Sequence, residues 1–132
     1  MLLVDTNVLV DVLEDDPQWA KWSLTQLRAQ SQIYDLLINP VIYAELSLTF
    51  SKVETLDDAV NGMGLVLREI SRPALFLAGK AFVRYRRKGG KKQNVLADFF
   101  IGAQAAVLGC PILTRDARGY QTYFPGVPLI VP

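Results

Sequence analysis

The chain has 132 residues, 51% of them hydrophobic, and a nearly balanced charge of 14 Lys and Arg against 13 Asp and Glu. This composition is typical of a globular protein long enough to bury a core, and the net charge of +1 alone indicates no polyanionic partner. No apolar run approaches the roughly 20 residues of a membrane helix, and the short, early-acidic start does not resemble a signal peptide. We expect one domain, over residues 1–132, that does not enter a membrane.

The cysteine and histidine content limits the possible chemistry. Cys110 is the only cysteine, which excludes an intrachain disulfide and fits a reducing, cytoplasmic environment. The chain has no histidine, which excludes Ser-His-Asp and Cys-His nucleophiles and histidine-built zinc sites. If the protein is an enzyme, carboxylates must carry its chemistry, with or without a metal ion.

Predicted strands and helices alternate along the chain. Asp16 and Pro17 favour the start of a helix, whereas Gly89, Gly90 and Gly109 favour helix ends. In chain order we predict strand 2–4, helices 7–14 and 17–30, strand 33–38, helices 40–51 and 55–62, strand 65–70, helices 73–87 and 95–108, strand 111–114, a turn with a short helix in 116–124, and strand 128–131. This alternation predicts an α/β fold with a parallel sheet of four to five strands covered on both faces.

Two acids follow predicted strands. Asp5 ends the first strand, and Asp116 follows the fourth in the segment ILTRD. Both therefore lie at the carboxyl edge of the predicted sheet, where open α/β folds bind their ligands.

Two further acids lie on predicted helices. Glu45 shares a helical face with Val41 and Leu48, and Asp98 shares one with Ile101. A carboxylate on a buried face is costly unless a cation or a hydrogen-bond donor meets it.

Each of the four acids also has a purely structural interpretation, which the residues alone leave open. Asp5 and Asp98 suit helix caps, Asp116 suits the first position of a turn, and Glu45 suits a salt bridge to a basic residue such as Arg115. Taken together in a chain without histidine, the four acids indicate an acidic pocket. Such a pocket would repel itself unless it held a divalent cation or kept some carboxyls protonated.

Four short motifs resemble a known family. DTNVLVD, VIYAEL, DFFIGAQA and LTRD, in this order over almost the whole chain, resemble PIN-domain proteins, most closely the VapC-type ribonuclease toxins of toxin–antitoxin pairs. The resemblance implies a Rossmann-like three-layer α/β/α sandwich, a requirement for Mg²⁺ or Mn²⁺, and endonucleolytic cleavage of RNA. With no histidine to act as general base, we expect a water molecule, not the RNA 2′-hydroxyl, to attack the phosphate.

The resemblance also implies a set of site residues. Asp5 and Asp98 correspond to the usual metal ligands of the family. Asn7 and Thr114 match polar positions near its site and are expected to contact the substrate. Purely structural roles suit them equally well: a helix cap for Asn7 and a strand-end hydroxyl for Thr114. The implied acidic site consists of Asp5, Glu45, Asp98 and Asp116, of which Asp116 matches the least dependable family position.

A basic segment, RYRRKGGKK, spans residues 84–92 and contains six of the 14 cations of the chain without any acid. One interpretation is a solvated helix end, where cations are favoured. The other is a phosphate-binding arm beside the acidic pocket, with Tyr85 stacking on a base and the two glycines allowing movement. The cations proposed to contact RNA are Arg84, Arg86, Arg87 and Lys88.

Partners are inferred from bulky side chains and from the resemblance. The helix with Trp19 and Trp22 and the segment VIYAELSLTF hold large residues that serve either core packing or an interface. The resemblance implies a homodimer and a small antitoxin that occludes the site. The alternative function is a PIN-like module that binds nucleic acid or protein with little or no catalytic activity.

Overall fold

The five strands form one sheet in which every pairing is parallel. The computed structural model describes residues 1–92 and 95–132. Its strands are β1 (Leu2–Val4), β2 (Leu36–Ile38), β3 (Val66–Leu67), β4 (Ile112–Leu113) and β5 (Leu129–Ile130). Their order across the sheet is β3-β2-β1-β4-β5, which confirms the predicted α/β class.

Seven α-helices flank the sheet in the described ranges and complete an α/β/α architecture. No helix of these ranges is both long and apolar enough to cross a membrane. The helices are α1 (Thr6–Leu13), α2 (Ala20–Ser31), α3 (Pro40–Leu46), α4 (Val53–Gly62), α5 (Arg72–Arg87), α6 (Leu96–Leu108) and α7 (Arg118–Tyr123).

Several elements are shorter than predicted. The predicted helix 40–51 divides, because α3 ends at Leu46 and a separate 3-10 turn covers Ser47–Thr49. The predicted strand 33–38 keeps only its last three residues, and Ile33 is 71% exposed. The helix predicted from Pro17 begins at Ala20, after a turn in which the Asp16 carboxylate accepts hydrogen bonds from two backbone N–H groups.

The carboxyl end of the central strand β1 lies at the topological switch point of the sheet. β1 pairs with β2 on one side and with β4 on the other, and all of its residues are fully buried. The chain moves outward from β1 through β2 to β3, then crosses back to β4. Ligands of open α/β sheets bind at such a point, where adjacent connections leave in opposite directions.

A buried amide pair fixes the neighbouring part of this edge. Asn39, directly after β2, caps α3 by accepting a hydrogen bond from the Ile42 N–H, and its amide donates to Gln104 Oε1 at 2.9 Å. Gln104 in turn donates to the backbone carbonyls of Arg68 and Glu69, just after β3. The ends of β2 and β3 are thereby tied to α6.

Close packing of α6 on Phe124 generates a stability prediction. A Cβ at Gly102 would overlap the Phe124 ring, whereas a Cβ at Gly79 in α5 meets nothing within 4 Å. We expect Gly102→Ala to lower the free energy of unfolding by about 1–3 kcal/mol through overpacking. Gly79→Ala, the matched control, should raise it by up to about 1 kcal/mol because alanine favours helix. Urea unfolding measures both changes, and equal effects of the two variants would contradict the packing.

Candidate active site

The four acids predicted from the sequence meet at the carboxyl edge of the sheet. Asp5 follows β1, Glu45 lies in α3, Asp98 lies in the first turn of α6, and Asp116 follows β4. The negative charges of the other three acids all act on the carboxyl of Asp98. Four elements that are distant in sequence therefore bring their acids into one electrostatic environment.

Asp5 is the most buried of the four, with 5% of its surface exposed. Its Oδ2 atom accepts hydrogen bonds from the Thr114 hydroxyl at 2.8 Å, the Tyr120 hydroxyl at 2.9 Å and, more weakly, the Asn7 amide at 3.4 Å. Burial raises the pKa of Asp5, and the hydroxyl donors oppose that rise. Asp5 occupies the position before α1 but makes no side-chain capping bond, so its carboxylate points to the sheet edge.

Glu45 is half-buried and is held by a neighbouring hydroxyl group. The Thr6 hydroxyl, at the start of α1, donates to Glu45 Oε1 at 2.6 Å. The proposed salt bridge to Arg115 is wrong, because Arg115 contacts Asp11. The expected apolar face is also incomplete, since Leu48 is 89% exposed. Glu45 therefore has no cationic partner in the described part of the chain.

Asp98 lies at the rim of the site, not on a buried face. Its side chain is exposed while Ile101, one turn later, is completely buried. Among the described residues, no side-chain cap bond is made at the start of α6. Desolvation beside the packed elements, together with the charges of Asp5, Glu45 and Asp116, raises the pKa of Asp98 to about 7. Because the side chain reaches water, screening limits the energy of this repulsion.

Asp116 behaves as a turn residue as well as a member of the site. Its Oδ1 accepts from the Arg118 backbone N–H at 3.2 Å and from the Arg118 guanidinium at 3.3 Å. Desolvation raises the pKa of Asp116, but the hydrogen bonds and charge of Arg118 outweigh it and leave the pKa lowered. Both partners are largely exposed, so this ion pair is weak.

Asn7 and Thr114 contact one another and Asp5. The Asn7 amide donates to Thr114 Oγ1 at 3.4 Å, and Asn7 Oδ1 accepts the Arg115 backbone N–H at 3.2 Å. Thr114 is fully buried and also accepts the Asp116 backbone N–H at 3.1 Å. These bonds join the start of α1 to the loop that follows β4.

The sequence does not predict the ion pair between half-buried Arg115 and buried Asp11. Arg115 donates to both oxygens of Asp11, at 2.6 and 2.9 Å, and Asp11 also accepts the Ser23 hydroxyl at 2.7 Å. The guanidinium lies 5.3 Å from the Trp19 ring centroid. The available signal was that Asp11 comes three residues after buried Val8, on the inward side of α1. This pair anchors the loop that carries Thr114 and Asp116.

Tyr120 is a further site residue that the sequence pattern does not reveal. Only 3% of it is exposed, as expected for a core aromatic residue, yet its hydroxyl reaches Asp5. Burial, followed by the charges of Asp5 and Asp98, raises the pKa of Tyr120 well above its ordinary value. The phenol therefore stays protonated and serves as a donor.

The basic segment ends beside the acids, and its tyrosine packs against neighbouring aromatic rings. One groove is lined by Lys92 together with Asp98 and Asp116. The ring of Tyr85 also lines this groove and packs edge-on against Phe99 and Tyr123, so its stacking on a base stays a prediction. Its hydroxyl also accepts the Lys92 backbone N–H at 3.0 Å.

The glycines of this segment have structural roles, and their freedom to move stays a prediction. A Cβ at Gly90 would overlap the Tyr85 ring, and Gly89 ends α5 with a φ of +87°. Arg84 donates to the Tyr123 carbonyl at 3.3 Å. All four cations predicted to bind RNA are exposed, and none forms a salt bridge within the described residues.

The donor set suits a hard divalent cation without enclosing one. Over residues 1–92 and 95–132, no three acidic side chains lie close enough to surround an ion as they stand. Carboxylate oxygens are nevertheless the preferred protein ligands of Mg²⁺, which takes one or two of them together with water and substrate phosphates. An open acidic edge therefore fits such an ion better than a closed protein cage would.

Comparison with known proteins identifies the family. The model of the PIN domain matches residues 2–125, and the chain belongs to the PIN domain family. No curated protein matches the sequence significantly.

Solved structures share the fold at low sequence identity. VapBC2 from Rickettsia felis, bound to a DNA fragment from its promoter, has a TM-score of 0.74 and 18% identity, with 98% of this chain and 97% of the matched chain covered. VapBC-1 from nontypeable Haemophilus influenzae has a TM-score of 0.74 and 15% identity, with 98% and 96% covered. A toxin–antitoxin complex from Klebsiella pneumoniae has a TM-score of 0.63 and 20% identity, with 96% and 95% covered.

The raised pKa of Asp98 gives a prediction for metal-free protein. This carboxyl takes up protons below about pH 7 when folded but only near 3.8 when unfolded. Its contribution to stability is therefore complete below pH 3.8 and is lost as the pH rises through 7. We expect the free energy of unfolding of Asp98→Asn to fall by about 1–2 kcal/mol less than that of wild type as the pH rises. This difference allows for the exposure of the side chain to water.

The measurement is thermal or urea unfolding in EDTA between pH 5 and pH 8. Asp58→Asn, at an exposed acid of α4, is the control and should keep the wild-type pH dependence. A pH dependence that is identical in wild type and Asp98→Asn would contradict the electrostatic coupling.

Proposed function

We propose that the protein is a metal-dependent endoribonuclease that hydrolyses RNA phosphodiester bonds. One observation carries the proposal: Asp5, Glu45 and Asp98 converge without a salt bridge to any cation of the described residues. Such a concentration of negative charge favours the binding of a divalent cation. Membership of the PIN domain family and the likeness to VapBC structures agree with this function.

The cation that we propose is Mg²⁺ or Mn²⁺, with Asp5 and Asp98 as its protein ligands. When bound, such an ion offsets negative charge on the phosphate and lowers the pKa of a water ligand. Glu45 and Asp116 would be additional ligands or would orient water molecules. Thr114 and Asn7 hold the Asp5 carboxylate through the hydrogen bonds described above.

The nucleophile that we propose is water. No histidine is available to deprotonate the RNA 2′-hydroxyl, so the carboxylates are the groups that can orient and deprotonate a water molecule at this edge. Burial holds the carboxylate of Asp5 in place before substrate binds, and the hydrogen bond from Thr6 holds that of Glu45. Fixed groups need little rearrangement when charge develops on the phosphate.

RNA binding is assigned to the exposed cations of the basic segment. Arg84, Arg86, Arg87 and Lys88 are exposed, and the segment ends at the groove shared with Asp98 and Asp116. Phosphate contacts by arginine and lysine supply affinity that is independent of sequence. This arrangement explains how a protein of net charge +1 can bind RNA while its acids face the scissile phosphate.

We also propose that the protein is the toxin of a type II toxin–antitoxin pair, acts in the cytoplasm and forms a homodimer. Support comes from the similar K. pneumoniae structure, which is a toxin–antitoxin complex, and from the VapBC structures. Exposed apolar residues of α5, Phe76 at 69% and Leu75 at 43%, provide surface suited to a partner. Mass measurement of the purified chain, alone and after coexpression with the product of an adjacent reading frame, tests both associations.

The alternative is a PIN-like binding module with little or no activity. The absence of a closed three-acid cage from the described ranges is the observation that favours it. A binding module would hold RNA or protein without any dependence on Mn²⁺.

Substitution of a proposed metal ligand tests the nuclease. Asp5→Asn preserves the size and hydrogen-bonding shape of the side chain but removes its charge, so the fold should persist. We expect cleavage of a defined RNA in Mn²⁺ to fall by about 100-fold or more. Asp58→Asn, on the exposed face of α4, should cleave at the wild-type rate.

Two results would contradict the nuclease. One is a failure of the purified, partner-free chain to bind Mn²⁺ in a calorimetric titration. The other is RNA cleavage that survives in Asp5→Asn, since residual activity of that kind indicates a contaminating ribonuclease.

Charge reversal tests the basic segment. The triple variant Arg86→Glu, Arg87→Glu, Lys88→Glu should weaken RNA binding and reduce the slope of log K against log salt, because fewer phosphates are neutralised. Mn²⁺ affinity should stay unchanged. The control carries charge reversals at Lys21, Arg28 and Lys52, all exposed and outside the segment. Its salt dependence of RNA binding should be steeper than that of the first variant. A salt slope in the first variant equal to that of wild type would refute the assignment.

A further inference from the structure

Two hydroxyl groups converge on one oxygen of Asp5. Thr114 lies directly after β4 and Tyr120 lies in α7, and both donate to Oδ2, at 2.8 and 2.9 Å. Every side-chain donor that reaches Asp5 from the described residues contacts this same atom, including the Asn7 amide at 3.4 Å. The carboxylate is therefore held asymmetrically.

This asymmetry leaves the two carboxylate oxygens with different capacities. A carboxylate oxygen has about two lone-pair directions, and the two short bonds from Thr114 and Tyr120 use both of them on Oδ2. Oδ1 accepts no side-chain hydrogen bond within residues 1–92 and 95–132; the Thr6 backbone N–H is the one other donor that acts on this carboxylate. A cation that approaches Asp5 can then use Oδ1 without displacing a buried hydroxyl.

We propose that Tyr120 is a positioning residue that, with Thr114, restricts Asp5 to one metal-binding oxygen and thereby favours Mg²⁺ and Mn²⁺ over Ca²⁺. This inference rests on the proposed metal-dependent function. Ca²⁺ accepts six to eight oxygen ligands in flexible geometry and often takes both oxygens of a carboxylate, whereas Mg²⁺ requires near-ideal octahedral geometry. A carboxylate with one available oxygen suits the smaller ion.

The surroundings of Tyr120 keep its hydroxyl in place. Its ring is 3% exposed, and α7 packs against α6. Thr114 is fully buried, and its Oγ1 receives the Asp116 backbone N–H at 3.1 Å, so its hydroxyl proton remains available for Asp5. Burial of both residues keeps the two hydroxyl oxygens within hydrogen-bonding distance of Oδ2.

Tyr120→Phe removes one donor and keeps the ring. Titration calorimetry with Mg²⁺, Mn²⁺ and Ca²⁺, each without RNA, gives three affinities for each protein. We expect wild type to prefer Mg²⁺ and Mn²⁺ over Ca²⁺, and Tyr120→Phe to reduce that preference by about tenfold, as is typical for partners of metal ligands. Thr114→Val should reduce it in the same direction, which supplies a second test if one variant folds poorly.

The control is Tyr34→Phe, at a half-buried tyrosine before β2 and thus at the opposite edge of the sheet. It should keep the wild-type ratio of affinities. A purely structural role for Tyr120 would lower the melting temperature and change all three affinities by the same factor, leaving their ratio constant.

The outcomes separate this inference from the proposed function. Wild-type metal binding with an unchanged selectivity ratio in both Tyr120→Phe and Thr114→Val overturns the role of Tyr120 and leaves the nuclease intact. Absence of metal binding in wild type overturns both. Loss of selectivity in the two variants, with the Tyr34→Phe ratio preserved, supports the inference.

Discussion

The arrangement of the site depends on the burial of one carboxylate, that of Asp5, at the end of the central strand. A buried carboxylate costs several kcal/mol unless hydrogen bonds or an opposite charge compensate it, and Asp5 is only 5% exposed. Thr114 and Tyr120 provide that compensation through their hydroxyl groups. Because those groups come from the β4 end and from α7, satisfying Asp5 fixes how the last part of the chain packs against the first.

The negative charge at this edge of the sheet results from the positions of the nearby cations. Arg115, the cation expected to neutralise Glu45, is bound by both oxygens of Asp11 behind the site. Arg118 pairs with Asp116 only at the exposed rim. The six cations of residues 84–92 remain on the α5 end. Negative charge therefore persists at the centre, with positive charge arranged around it, which suits the proposed recognition of a phosphate-bearing substrate through a divalent cation.

Much of the fold and part of the site follow from local sequence pattern. Alternating apolar strands and amphipathic helices predict the order of the elements, and strand ends locate Asp5 and Asp116. Strand lengths do not follow, because an apolar residue such as Ile33 extends a pattern without gaining a pairing partner. Tyr120 is also missed, because the sequence around a buried tyrosine does not show whether its hydroxyl forms a hydrogen bond. Its partner is 115 residues away, beyond the reach of any periodicity.

The same separation has a consequence for biosynthesis. Asp5 obtains its two hydroxyl partners from residues 109 and 115 positions later in the chain, and β1 receives its β4 neighbour equally late. Contacts of such long range form only after the intervening chain is available. On the ribosome, a nascent polypeptide thus contains Asp5 long before the supporting hydroxyl groups, which are missing until translation passes Tyr120. Any chemistry at this edge is consequently delayed until nearly all of the domain has left the ribosome.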